Sequence, residues 1–161
     1  MTDTETAAST DLAAAGRLWA SSHPLEAGRA LTALIPTETR PRWAGRIVAW
    51  AYQRSRRKPE PEILALVVAT TKAATHEEAS ARRDAVAAIL ARVQQSGRFD
   101  SLHEALLTLA LNAARLLVAA AAPESADPKE SWWFVASLKC VGDELDEGFT
   151  TEAWKRLRQI A

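Results

Sequence analysis

Apolar residues recur along this chain at three- and four-residue intervals, and proline, glycine and capping residues interrupt them at short distances. That period gives each segment one apolar stripe, the mark of amphipathic helices rather than strands. After a polar stretch over 1–10, Asp11 is positioned to cap a short helix running to Ser21, which His23-Pro24 ends. "PLEAGRALTALI" opens on a proline and stops before Pro36, and Thr39 caps a third helix with Pro41 in its first turn. "KPEPE" breaks that helix and Pro61 opens "PEILALVVATTKAA".

Thr75 and Glu78 form a capping-box pattern for a helix to about Gln95, closed by Gly97, and Ser101 with Glu104 repeats it for a leucine-rich helix ending before Pro123. Asp127 and Pro128 start another helix, which Gly148 ends, and Thr150 or Thr151 caps the last, "TEAWKRLRQI". The fold class expected is all-α, a compact bundle or short solenoid of about seven to eight helices. Residues 1–10 read as a disordered lead-in and 11–161 as a single helical domain.

Two segments are apolar around most of their circumference, "ILALVV" and "LHEALLTLALNAARLLVAAAA", as expected of helices surrounded by others. Glu104, Asn112 and Arg115 interrupt the second, so it reads as a buried helix of a helical protein and not as a membrane span. Its polar residues Glu104, Thr108, Asn112 and Arg115 nevertheless share one face. They predict either a narrow solvent-facing stripe or a polar pocket between helices.

Charge changes the picture most in "RPRWAGRIVAWAYQRSRRK", residues 40–58, which holds seven Arg and Lys and no acid although the chain carries no formal net charge. At about 100° per residue, Trp43, Ala44, Ile47, Val48, Trp50 and Ala51 fall on one broad apolar arc. Arg42, Arg46, Gln53 and Arg56 fall opposite, and Arg46 and Arg57 flank Trp50. The segment therefore predicts an amphipathic helix with a dedicated basic stripe, its tryptophans anchoring the core. Such a stripe can meet phosphates, an acidic partner surface, or the chain's own "DELDEGFTTE" as an internal clamp. A membrane contact would withdraw the aromatic arc from a small core, so none is expected.

In "ESWWFVASLK", Trp132 groups with Ala136, Lys139 and Asp143, whereas Phe134, Leu138, Val141 and Leu145 form the apolar side. Trp132 is therefore expected to be partly exposed as an interface anchor, and Trp133 to behave as a core residue. The single Cys140 rules out an internal disulfide and is expected to be buried and structural. His23, His76 and His103 lack the spacing that puts two metal ligands on one helical face, and His76 and His103 read as exposed first-turn residues. "GDELDEG" lacks the ligand spacing of a calcium loop. No nucleophile elbow, phosphate-binding loop or dinucleotide fingerprint is present, so neither acyl transfer nor nucleotide binding is signalled.

These observations lead to a non-enzymatic helical interaction module, a subunit or adaptor of a bacterial cytoplasmic complex, with no cofactor and no metal. Its contacts would come from Arg42, Arg46, Gln53, Arg56, Arg57, Trp132 and Lys139. One alternative is a nucleic-acid-associated subunit that follows a phosphate backbone without reading sequence, against which overall neutrality counts. Another is a ligand sensor or enzyme built around the polar face of the leucine-rich helix.

Overall fold

A computed structural model describes the backbone of residues 3–159 and the side chains of 12–159. The described residues form eight α-helices and no strand: α1 Asp3–Ala20, α2 Pro24–Thr32, α3 Arg40–Ser55, α4 Pro61–Ala69, α5 His76–Gln95, α6 Ser101–Ala121, α7 Lys129–Asp143 and α8 Glu147–Arg158. Short 3-10 turns at Thr37–Thr39 and Pro123–Ser125 join α2 to α3 and α6 to α7. The all-α bundle expected from periodicity is thus what the chain forms.

The leucine-rich α6 lies at the centre, packed on α3, α5 and α7, with α2 against α7 and α1 against α2. α6 is long and apolar enough to cross a membrane by length and composition, and more than half of its most apolar window is buried among these neighbours. α4 bridges α3 and α5, and α8 touches α1, α3 and α7. Leu106, Leu107, Leu109 and Ala113 of α6 meet Trp43 and Ile47 of α3 and Phe134 and Leu138 of α7 in one continuous core.

Aromatic side chains fasten α8 to this core. Trp43 is fully buried, donates its indole N–H to the Leu157 carbonyl at 3.0 Å, and meets Phe134 edge to face at 5.2 Å. Trp50 stacks on Phe149 at 4.8 Å, and Trp19 stacks on Trp154 at 5.8 Å while donating to the Thr150 carbonyl. Each ring joins residues far apart in sequence, so these contacts fix the bundle's topology as well as its packing.

Two close approaches require glycine. At Gly28 an added Cβ would stand 3.0 Å from the Trp132 backbone, and at Gly45 it would collide with the Thr70 side chain. Gly45→Ala should therefore lower stability by about 1–3 kcal/mol despite alanine's better helix propensity. Denaturant unfolding followed by circular dichroism measures this; an unchanged midpoint would show that α4 yields at no cost.

Several local expectations need correction. The helix assigned to begin at Asp11 begins at Asp3, within the stretch read as a lead-in, and residues 1 and 2 lie outside the described residues. Thr39 does not cap α3; its hydroxyl donates back to the Pro36 carbonyl within the 3-10 turn. Asp100, not Ser101, caps α6, accepting from the His103 N–H at 3.1 Å. Gly148 lies inside α8, whose cap is Asp146 through the Phe149 N–H at 2.7 Å, not Thr150 or Thr151. A carboxylate binds these amides more strongly than a hydroxyl, because the charge also meets the positive helix end. The box at Thr75 and Glu78 forms as expected, and Gly97 takes the left-handed conformation (φ 72°) after α5.

Candidate functional site

The seven cations of 40–58 divide into two groups. Arg40 turns back onto the end of α2, donating to the Ile35 and Thr32 carbonyls at 2.9 and 2.8 Å. Burial pushes its pKa down, opposed by the charge of Glu38. The Thr32 carbonyl also accepts the Ile35 N–H at 3.1 Å, and Arg40 adds a side-chain donor at this end of α2. Arg54 reaches α8, 3.1 Å from Glu152 and 3.8 Å from Asp146. Arg57 forks onto Asp100 at 3.0 and 3.3 Å. The Asp100 carboxyl is held below the usual range, first by the His103 N–H and then by Arg57.

Arg42, Arg46, Arg56 and Lys58 form the second group, exposed and without an ion pair among the described residues. Arg42, Arg46 and exposed Gln53 make the outer face of α3, and exposed Arg56 follows at its C-terminal end. One flank of that face is α8, where the Arg156 guanidinium sits 5.8 Å over the Trp50 ring. The other flank is α4, running antiparallel, with Thr70 against Gly45 and Ile63 near Tyr52. The clamp weighed as one fate of the basic segment does form, through Arg54, and leaves the stripe itself outside it.

Arg56 adds a backbone feature. It ends α3 in the left-handed conformation, φ 58° and ψ 30°, a position at which glycine is the default. A side chain there costs about 1–2 kcal/mol.

The remaining candidate residues do not gather on this face. Lys139 pairs with Asp143 at 2.8 Å on the rim of a cleft of about 760 Å³ between α1, α7 and α8, where Asp146, Lys155 and Arg158 mix both signs. The polar side of α6 makes hydrogen bonds within the fold. Thr108 donates to the Glu104 carbonyl, while buried Asn112 accepts from Arg115 at 3.1 Å and donates to the Trp133 carbonyl at 3.4 Å. The Asn112 bond to Trp133 ties α6 to α7, a structural use that spacing alone could not distinguish from a site.

Trp132 is partly exposed as expected, but Trp133 is not the core residue of the pair. Trp133 is 41% exposed, whereas Trp132 is half-buried, with its backbone against Gly28 of α2 and the Arg29 guanidinium 5.4 Å from its ring centroid. The helical wheel ranked the two by their neighbours within α7, and α2 covers the side that looked free. Trp132→Ala should cost more stability than Trp133→Ala by about 1 kcal/mol or more. Paired unfolding curves measure the difference, and equal losses would contradict it.

Cys140 is exposed where a buried residue was expected, and desolvation of its thiol by neighbouring atoms, then the charge of Asp143, pushes its pKa up, away from the reactive thiolate. His103, expected to be exposed, is partly buried and bonds Glu60 at 2.7 Å, tying α6 to the residue before α4. Among the described residues no group of three or more His, Cys, Asp or Glu side chains gathers around a common point.

One group next to the α3 stripe was not foreseen. The buried Tyr52 hydroxyl and the second carboxylate oxygen of Glu60 have no hydrogen-bond partner in the protein. Burial and the charge of Glu60 push the Tyr52 pKa well up. Tyr52 lines an apolar groove of about 220 Å³ between α3 and α4, together with Val48, Ala49, Leu64 and Val67. Against protein-family models, curated proteins and solved structures, the chain gives no match.

Proposed function

We propose that the protein is a non-enzymatic helical interaction module, a subunit or adaptor that engages its partner through the outer face of α3. One observation carries the reading: of the cations in one amphipathic segment, Arg40, Arg54 and Arg57 have partners within the fold, while Arg42 and Arg46 on the outer face of α3 and Arg56 at its end are exposed without an ion pair among the described residues. Surface charge with no internal use, concentrated on one rigid helix, suits electrostatic steering toward an acidic surface. The left-handed backbone at Arg56 supports it, since glycine would relieve strain there.

Charge reversal tests the reading. Labelled polyglutamate should bind the protein with strong salt dependence, and Arg42→Glu, Arg46→Glu and Arg56→Glu together should weaken that binding by about a hundredfold at low salt. Equal binding by the triple variant would overturn the assignment of the α3 face.

A further inference from the structure

We propose that the partner is an acidic amphipathic helical segment, seated with its apolar side in the α3–α4 groove and its acidic side against the arginine stripe. The inference rests on the α3 contact proposed above and adds the class of partner. α4 is unusually apolar for a surface helix, and Leu64 and Val68, four residues apart on one face, are 53% and 60% exposed. They continue the groove floored by Val48, Ala49, Tyr52 and Val67. At the Arg57 end, the ion pair to Asp100 brings in the neighbouring Phe99, 88% exposed. An apolar strip of this kind beside a helix that carries only positive charge calls for the inverse pattern in its occupant. That pattern is apolar residues at i, i+3 or i+4 and i+7, with Asp or Glu along one border.

Nucleic acid fits the charge but not the strip. Phosphate contacts need no aliphatic groove, so a nucleic acid would leave Leu64, Val67, Val48 and Ala49 unused.

The test uses the full chain and a displayed library of random peptides about four to five helical turns long. Enriched peptides should carry the spaced apolar residues with acidic flanks. Synthesised, they should bind at least about tenfold more tightly than versions with those apolar residues changed to Ser. Leu64→Ser with Val68→Ser, both exposed positions whose replacement leaves the core intact, should erase that tenfold advantage while circular dichroism stays unchanged.

Failure of this inference is separable from failure of the α3 contact. If polyglutamate and a labelled single-stranded oligonucleotide bind in an arginine-dependent way, but no amphipathic peptide is enriched or the Leu64/Val68 variant binds equally, the groove is not the site and the α3 contact stands. Tighter, arginine-dependent binding of the oligonucleotide than of any selected peptide overturns the choice of partner class. Indifference of every probe to the arginine reversals overturns both.

Discussion

Trp43→Ala should lower the free energy of unfolding by about 3–5 kcal/mol, a large share of the 5–15 kcal/mol typical of a domain. Three losses combine at this position. The ring is fully buried, so its removal forfeits transfer free energy and opens a cavity between α3, α7 and α8. The edge contact to Phe134 disappears. The Leu157 carbonyl, which accepts the indole N–H at 3.0 Å, is left without that donor where α8 meets α3. Trp43→Phe separates the terms: it keeps most of the ring volume and deletes the donor, and should cost about 1–3 kcal/mol. Urea unfolding of both variants checks this, and a loss below about 1 kcal/mol for Trp43→Ala would mean that α3 is not anchored through this ring.

Helix existence and type were legible from the sequence because apolar period, proline and capping residues agree along most of the chain. The capping box at Thr75 and the stop at Gly97 form where local chemistry alone decides them. Boundaries failed where two candidate caps competed, as at Asp100 against Ser101 and Asp146 against Thr150, and the charged side chain prevailed each time. The α3 wheel sorted its residues correctly, with Trp43 and Ile47 buried and Arg42 and Arg46 exposed, since one helix's own pattern fixes its two faces.

What a single wheel cannot show is which neighbour arrives. Trp132 is less exposed than Trp133 because α2 approaches over Gly28, and Asn112 is buried where α7 offers it the Trp133 carbonyl. The groove beside the stripe was hidden for the same reason. The all-apolar "ILALVV" implied burial on every side, yet α4 packs mainly against α3, α5 and α6 and leaves Leu64 and Val68 exposed. The missing signal was length: a helix of nine residues is too short to be enclosed by several others.

The largest expected effect on binding comes from Arg42→Glu, Arg46→Glu and Arg56→Glu made together. Each reversal turns attraction into repulsion at the contact, so affinity for an acidic probe should fall by about a hundredfold at low salt. The difference should shrink as salt rises, because exposed charges are screened over about 8–10 Å near physiological ionic strength. The apolar arc of Trp43, Ile47 and Val48 is untouched, so the fold should survive. Arg54→Glu is the internal control: it sets a carboxylate against Glu152 and Asp146 and should cost stability, by no more than about 1 kcal/mol because the pair is partly exposed.

The most direct measurement is the unfolding free energy of the triple variant beside the parent chain at low salt. If the stripe has no partner within the fold, the two should agree within about 0.5 kcal/mol. A fall of more than about 2 kcal/mol would contradict this, because it would show that Arg42, Arg46 and Arg56 are neutralised from inside the protein and are not held free for another surface.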